Sequence, residues 1–279
     1  MPNRPVAGVR VVGPAGEGYH RRMMVCGVLL DLEGVLYQGD EPVGGARDAV
    51  AALRQAGLAL RFLTNTTTRP RSYICARMAA MGFEAALDDI FSPAMAAGRF
   101  LEQAGVTRIH LAAPAGLAED FGHFALVDDD PEAVVIGDLY TGFTWQRVNG
   151  LFQMALGGAR IVALHKNRFC RRAEGLSLDV GPFVAALEYA AGAEAAIMGK
   201  PSPAFFHMAL ESLGLTPGEV VMVGDDIEAD IGGAQDAGLR AIQVETGKYS
   251  DRDREHPTVT PDECIASVVD LPALIARMR

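Results

Sequence analysis

The sequence predicts an α/β fold with a mostly parallel sheet, on three observations. Short apolar runs alternate with helix-length segments from residue 24 onward. The runs are continuously apolar, as strands covered on both faces require. The helix-like segments stop repeatedly at a glycine, at Gly57, Gly82, Gly105, Gly157, Gly192, Gly214 and Gly238, the residue best suited to end a helix.

Residues 1–22 stand apart. They carry Arg4, Arg10, Arg21 and Arg22 against the single acid Glu17. Gly13-Pro-Ala-Gly16-Glu-Gly18 lacks the GxGxxG spacing, and no apolar stretch of signal-peptide length follows the arginines. A flexible tail is expected. Strands are then expected at 24–30, 58–63, 107–113, 133–137, 160–165, 196–199, 219–223 and 240–244. The helix at 46–56 puts Ala46, Ala49, Val50 and Leu53 on one face, and the helix opened by Pro70 aligns Ile74, Met78 and Met81. The stretch 93–188 has its own strand–helix alternation and a basic cluster. It is expected to be a domain inserted into a core formed by 23–92 and 189–279.

Bulk properties narrow the function. The 279 residues are 49% hydrophobic, enough for a sizeable core, and the net charge of −10 argues against nucleic-acid binding and against an anionic membrane surface. No apolar run approaches the length of a membrane span. Cys26, Cys75, Cys170 and Cys264 are far apart and form no CxxC, which fits a reducing, cytoplasmic compartment and offers no zinc site.

In an open parallel sheet, ligands bind beyond the carboxyl ends of the strands. Four strand candidates end there in groups suited to phosphate and metal. The first, Met24-Val-Cys-Gly-Val-Leu-Leu-Asp31-Leu-Glu33-Gly34, ends at a carboxylate, with a second acid two residues on. Alternate residues of an extended chain point the same way, so Asp31 and Glu33 are expected to lie close together. Asp31 equally fits the cap of a turn. The second ends at Thr64-Asn65-Thr66-Thr67-Thr68, whose hydroxyl and amide can hold phosphoryl oxygens or cap a helix. The third leads into Gly199-Lys200-Pro201, a compact cation for a phosphate or a carboxylate. The fourth ends at Gly224-Asp225-Asp226, with Asp230 beyond. Asp226 and Asp230, four apart on a helix, repel each other unless something positive sits near them. The spacing is not that of an EF-hand loop.

Asp31-Leu-Glu33-Gly34-Val35, Thr64-Asn65, Gly199-Lys200-Pro201 and Gly224-Asp225-Asp226-(x)3-Asp230 resemble, in order, the four motifs of the haloacid dehalogenase-like phosphatases. The gap of about 135 residues between the second and third motifs is similar to that of subfamily IIA. Arg61-Phe-Leu-Thr-Asn-Thr-Thr67, His165-Lys166, Gly181-Pro-Phe-Val-Ala-Ala-Leu-Glu-Tyr189 and Thr246-Gly-Lys-Tyr249 extend the likeness over about 24–250.

The resemblance implies a Rossmann-like parallel sheet core flanked by helices, with a large inserted α/β cap domain of the C2 type. It implies a magnesium-dependent phosphatase acting on small phosphorylated metabolites. Asp31 would be the nucleophile, forming an aspartyl-phosphate. Mg2+ would be held by Asp31, the backbone carbonyl of Glu33, and Asp225. Thr64, Asn65 and Lys200 would hold the phosphoryl group, with Asp226 and Asp230 orienting metal waters and Lys200 from behind. Phosphoamide or pyrophosphate hydrolysis is the alternative within the same chemistry. Two chains pairing through the cap is an expectation of the same kind.

Position 33 departs from the family, which has aspartate there as acid and base. Glutamate carries its carboxyl about 1.5 Å further on an unchanged backbone. Either Glu33 works imperfectly and favours acidic leaving groups, or it supplies only its main-chain carbonyl. The same departure leaves room for a weakly active or non-catalytic binding protein on this fold. A phospho-accepting receiver is excluded, since receivers carry their acids before the phosphorylated aspartate. In the cap, His165-Lys-Asn-Arg-Phe-Cys-Arg-Arg172 reads as a solvated basic face or as a substrate-facing anion site, with His165, Lys166 and Asn167 as specificity candidates. Phe143 and Trp145 read as cap core, and Asp128-Asp129-Asp130-Pro131 as a loop before a strand.

Overall fold

The computed structural model describes residues 24–172 and 175–279; the expected tail lies outside them. In chain order the first unit contains β1 (Gly27–Asp31), a hairpin of β2 (Tyr37–Gln38) and β3 (Glu41–Pro42), α1 (Ala46–Gln55), β4 (Ala59–Leu63), α2 (Arg71–Ala80), β5 (Ile90–Phe91) and α3 (Pro93–Gln103). The middle holds β6 (Arg108–Ala112), β7 (Ala125–Leu126), β8 (Ala133–Ile136), α4 (Trp145–Leu156) and β9 (Arg160–Ala163). A hairpin of β10 (Phe169–Arg172) and β11 (Gly175–Leu178) follows, then α5 (Gly181–Ala191) and β12 (Ala196–Ile197). The chain returns through α6 (Pro203–Leu213), β13 (Val220–Gly224), a wide helical turn at Ile227–Gly232, α7 (Gly233–Asp236), β14 (Arg240–Val244), β15 (Glu263–Ile265) and α8 (Leu271–Met278).

Local chemistry sets these boundaries. α1 buries Ala46, Ala49, Val50 and Leu53, the face its periodicity predicts. α3 starts at Ser92, whose hydroxyl accepts from the Met95 amide, with Pro93 in the first turn. All five residues of β1 and of β13 are buried, as continuous apolar runs between two helical layers should be.

The first sheet runs β15-β14-β13-β1-β4-β5, every pair parallel. Its order reverses at β1, where a crevice opens at the strands' carboxyl ends. The second sheet runs β12-β9-β8-β6-β7, also parallel. This is the expected Rossmann-like core with an inserted α/β cap. One face of the first sheet packs Val28, Leu30, Phe62 and Val223 against α1, α2 and α8. On the other face, one apolar cluster runs from Leu29, Leu63 and Met222 through Phe91 and Phe205 to Ile109, Val135 and Val162 of the second sheet. Core and cap therefore share an interior there. Among the described residues, no helix is long and apolar enough to cross a membrane.

Three expectations need correction. β12 lies within 189–279, the expected core, yet pairs with β9 in the cap sheet. Ala191, Ala195 and Ile197, all beyond residue 188, pack on the cap cluster as well. A run as short as Ala195–Met198 announces a strand without saying which sheet it joins. Trp145 is 75% exposed rather than core, because it opens α4 ahead of the stripe Val148, Leu151 and Phe152 that packs on the sheet. The short strands β5, β7 and β15 and both hairpins escape the apolar-run criterion, since none carries a run of strand length. Phe143 does pack inward, stacked on Phe183 at 4.0 Å between ring centroids.

Phe205 is fully buried, with the Phe91 ring 5.3 Å away and the Phe206 ring 5.7 Å away, at the seam where α6 meets the sheet. Phe205→Ala should cost about 3–5 kcal/mol in denaturant unfolding; a cost below about 1 kcal/mol would show that the seam is loosely packed.

Candidate active site

Asp31 is the last residue of β1 and stands opposite Leu63 in the parallel register, so Thr64 begins its loop beside it. Asp225 follows the last residue of β13 on the other side. Lys200 comes from the second sheet, three residues after β12. Its ammonium lies 2.6 Å from Asp31 Oδ1 and 2.6 Å from Asp230 Oδ1. Lys200, Asp31, Asp225 and Asp230 are all buried. One carboxylate oxygen from each of Asp31, Asp225 and Asp230 lies within 4.8 Å of the others.

Burial raises the pKa of the Asp31 carboxyl against the pull of Lys200. Burial likewise raises Asp225 and Asp230, each to about 6. Burial alone would lower Lys200, but Asp230 and Asp31 hold it above its ordinary value. One ammonium thus faces three carboxylates. Asp225 Oδ1 is buried without a hydrogen-bond partner, while its Oδ2 accepts from the Lys248 amide at 2.7 Å. An orphaned carboxylate oxygen amid surplus negative charge fits a hard, oxygen-preferring cation.

Glycines make this approach feasible. A Cβ on Gly34 or on Gly247 would fall 2.0 Å from Asp225 Oδ2, and both residues have positive φ, at 87° and 64°. The Thr246 hydroxyl donates to the Gly34 carbonyl, tying the two turns together.

The other expected residues divide. Thr64 is buried, and its hydroxyl oxygen accepts from the Thr66 amide at 3.1 Å. The Asn65 side chain is spent on the Lys200 backbone: its Oδ1 accepts from the Lys200 amide at 2.8 Å and its Nδ2 donates to the Lys200 carbonyl at 2.9 Å. Asp226 caps the following helical turn, accepting from the Glu228 and Ala229 amides, and pairs with Lys248 at 3.0 Å. The predicted repulsion between Asp226 and Asp230 is thus met by two lysines, Lys248 for the first and Lys200 for the second.

Glu33 does not share a face with Asp31. β1 ends at Asp31, so strand alternation stops there. Glu33 is exposed and its Oε1 accepts from the Gly39 amide in the β2–β3 turn at 2.7 Å. The basic run in the cap is not one surface either. His165 is buried, Lys166 pairs with Glu188, and Asn167 donates its amide to His165 Nδ1 and accepts from the Gly181 amide. Thr246 and Lys248 received no role from the sequence. They follow β14, so the strand-end rule that found Asp225 applies to them equally. Asp138, whose amide donates to Thr67 and so joins the cap to the Thr64 loop, carries no sequence signal of its own, and Thr67 has only that of the Thr64–Thr68 run.

Two family models match the chain, one described as haloacid dehalogenase-like hydrolase over residues 28–125 and one as HAD-hydrolase-like over residues 197–271. The phospholysine phosphohistidine inorganic pyrophosphate phosphatase of Bos taurus is 41% identical over 256 residues, covering 88% of this chain and 94% of that protein. The haloacid dehalogenase-like hydrolase domain-containing protein 2 of Homo sapiens is 41% identical over 228 residues, covering 82% and 87%. Among solved structures, the p-nitrophenyl phosphatase from Archaeoglobus fulgidus superposes with a TM-score of 0.83 at 25% identity, covering 90% of this chain and 99% of that one. NagD from E. coli K-12 superposes with a TM-score of 0.80 at 26% identity, covering 89% and 98%. Identity of that extent along nearly the whole of each relative makes this chain a member of the haloacid dehalogenase-like hydrolase family.

Proposed function

We propose that this phosphatase removes phosphate from small phosphorylated molecules through an aspartyl-phosphate on Asp31, with Mg2+ as its cofactor. The observation that carries the reading is the Asp31–Lys200–Asp230 cluster beside the orphaned oxygen of Asp225. Asp31 and Asp225, with the Glu33 carbonyl, would hold the ion. When bound, it supplies charge neutralisation for the phosphoryl oxygens.

Asp31 attacks phosphorus as the bond to the leaving group breaks. Water then attacks the same phosphorus, releasing phosphate and returning Asp31 as a carboxylate. Lys200 offsets the negative charge of the transferring group. Asn65, holding the Lys200 backbone at both its amide and its carbonyl, fixes where that charge sits. The Thr64 hydroxyl donates to the Thr66 hydroxyl at 3.0 Å and would meet a phosphoryl oxygen by turning that proton away from Thr66.

The Glu33 carboxylate, engaged by Gly39, favours the reading in which this residue supplies its main-chain carbonyl rather than a proton. That points to leaving groups that depart without a strong acid in the protein: aryl phosphates, phosphoamides and pyrophosphate. The bovine relative's name joins phospholysine, phosphohistidine and inorganic pyrophosphate, which supports the same choice over alkyl esters.

Phosphate release from p-nitrophenyl phosphate, phosphoramidate and pyrophosphate with Mg2+ tests the reaction. Asp31→Asn should lower turnover by about 10⁴-fold or more, and retained turnover would remove the nucleophile assignment. Glu33→Ala should stay within about threefold of wild type on p-nitrophenyl phosphate. A loss of about 10²–10⁴-fold would restore the acid–base role. Asp225→Asn removes a buried charge, so metal-free protein should melt at a higher temperature than wild type. The variant should also lose the rise in Tm that Mg2+ gives wild type, worth about 2.7 kcal/mol at a hundred times Kd. An equal rise in both proteins would place the cation elsewhere.

A further inference from the structure

We propose that His165 is a positioning residue that keys the cap to the phosphate-binding loop: its Nε2–H donates to the Thr67 hydroxyl and so holds the Thr64–Thr67 turn against Lys200. The inference rests on the phosphatase reading above for its consequence, though not for its geometry.

His165 lies just past the end of β9 and is only 4% exposed, in a place where a polar ring must find partners. Its proton can be assigned from its neighbours. The Asn167 amide donates to Nδ1 at 3.3 Å, so that nitrogen carries a lone pair. Burial lowers the pKa of the ring against the pull of Asp179 and Asp138, which keeps it neutral. The one ring proton is therefore on Nε2, as a neutral imidazole with an acceptor Nδ1 requires. Nε2 is 3.3 Å from Thr67 Oγ1 and 3.7 Å from Asp179 Oδ1, and only the first is within hydrogen-bond reach. Asp179 Oδ1 is otherwise engaged, accepting from the Val180 amide at 2.8 Å.

The Thr67 hydroxyl also accepts from the Asp138 amide, just beyond β8, at 3.4 Å. Two cap strands thus deliver one donor each to a single buried hydroxyl of the core. That hydroxyl lies three residues after Thr64, in a loop without helix or strand to stiffen it. The other side of His165 is as tightly placed. A Cβ on Gly199 would lie 3.0 Å from His165 Cβ, 3.0 Å from Asn65 Oδ1 and 2.4 Å from the Leu164 carbonyl. His165, Asn65 and Gly199 therefore meet without spare room, and Asn65 holds the Lys200 backbone. A displaced His165 would move Thr67 on one side and Lys200 on the other.

A ring that only fills space would be replaced well by leucine. A ring that donates through Nε2 would be replaced better by glutamine, whose amide nitrogen reaches the same region. His165→Leu and Thr67→Val should each lower kcat/KM on p-nitrophenyl phosphate by roughly 10–100-fold. The double variant should be no worse than the poorer single one, and His165→Gln should stay within about fivefold of wild type. Additive losses, a leucine variant as active as wild type, or a glutamine variant as poor as leucine would each overturn the proposal. If the leucine variant does not fold, Thr67→Val and His165→Gln decide: the first must lose activity and the second keep it, or the idea falls. Hydrogen exchange on full-length, metal-free protein supplies a readout without turnover. The amides of 64–68 should exchange faster in Thr67→Val than in wild type or His165→Gln, and unchanged exchange would sink the proposal. A wild type with no phosphatase activity but this exchange pattern would instead overturn the reaction assigned above.

Discussion

Three buried carboxylates share one buried ammonium, and the rest of the molecule is built around that imbalance. Each ion taken out of water costs several kcal/mol unless paired and hydrogen-bonded. Lys200 serves Asp31 and Asp230 at once, and the Lys248 amide serves one oxygen of Asp225. The other oxygen has nothing. A protein organised only for stability would have replaced such a group. Its presence, buried and unpartnered where two strands end, is the physical reason to expect a cation there. The same crowding explains why Gly34 and Gly247 stand against Asp225, and Gly224 against Asp230, where any side chain would collide with a carboxylate.

The cation that balances this cluster does not come from the sheet that carries the acids. β12 belongs to the cap sheet, and the chain passes from it through Gly199 to Lys200. The cap is thus part of the scaffold that builds the site. Asn65 makes the joint rigid, since it grips both the amide and the carbonyl of Lys200 from the core side. The apolar cluster shared by both sheets works in the same direction, tying the cap's packing to the position of a charge in the core.

How much of this was legible in the sequence depended on how local the signal was. Asp31 and Asp225 could be found because an apolar run ending in a carboxylate at a parallel strand's end is a local pattern, and the face of α1 could be read from its period. Asp226 and Asp230 could be flagged as repelling acids, but their partners lie elsewhere in the chain. Lys248 is 22 residues from Asp226, and Lys200 is 169 residues from Asp31. The sheet membership of β12 was illegible because two half-buried residues at an edge look the same in either sheet. The expectation that Glu33 points the same way as Asp31 fails for a definable reason: alternation holds only while the strand continues, and β1 stops at Asp31.

Glu33 also shows how one site can be tuned without touching its charge balance. Its backbone sits in the turn that faces Asp225, while its carboxylate is drawn away by Gly39 into the β2–β3 hairpin. The buried charges and the Glu33 carboxylate are therefore held by separate elements. β1 and β13, with Lys200 just past β12, set the charge at the site. The β2–β3 hairpin holds the Glu33 carboxylate apart from them. The first set is constrained on every side by burial, so substitutions there disturb the whole cluster. The second is exposed and held by one hydrogen bond, so a substitution at Glu33 leaves the buried charges in place.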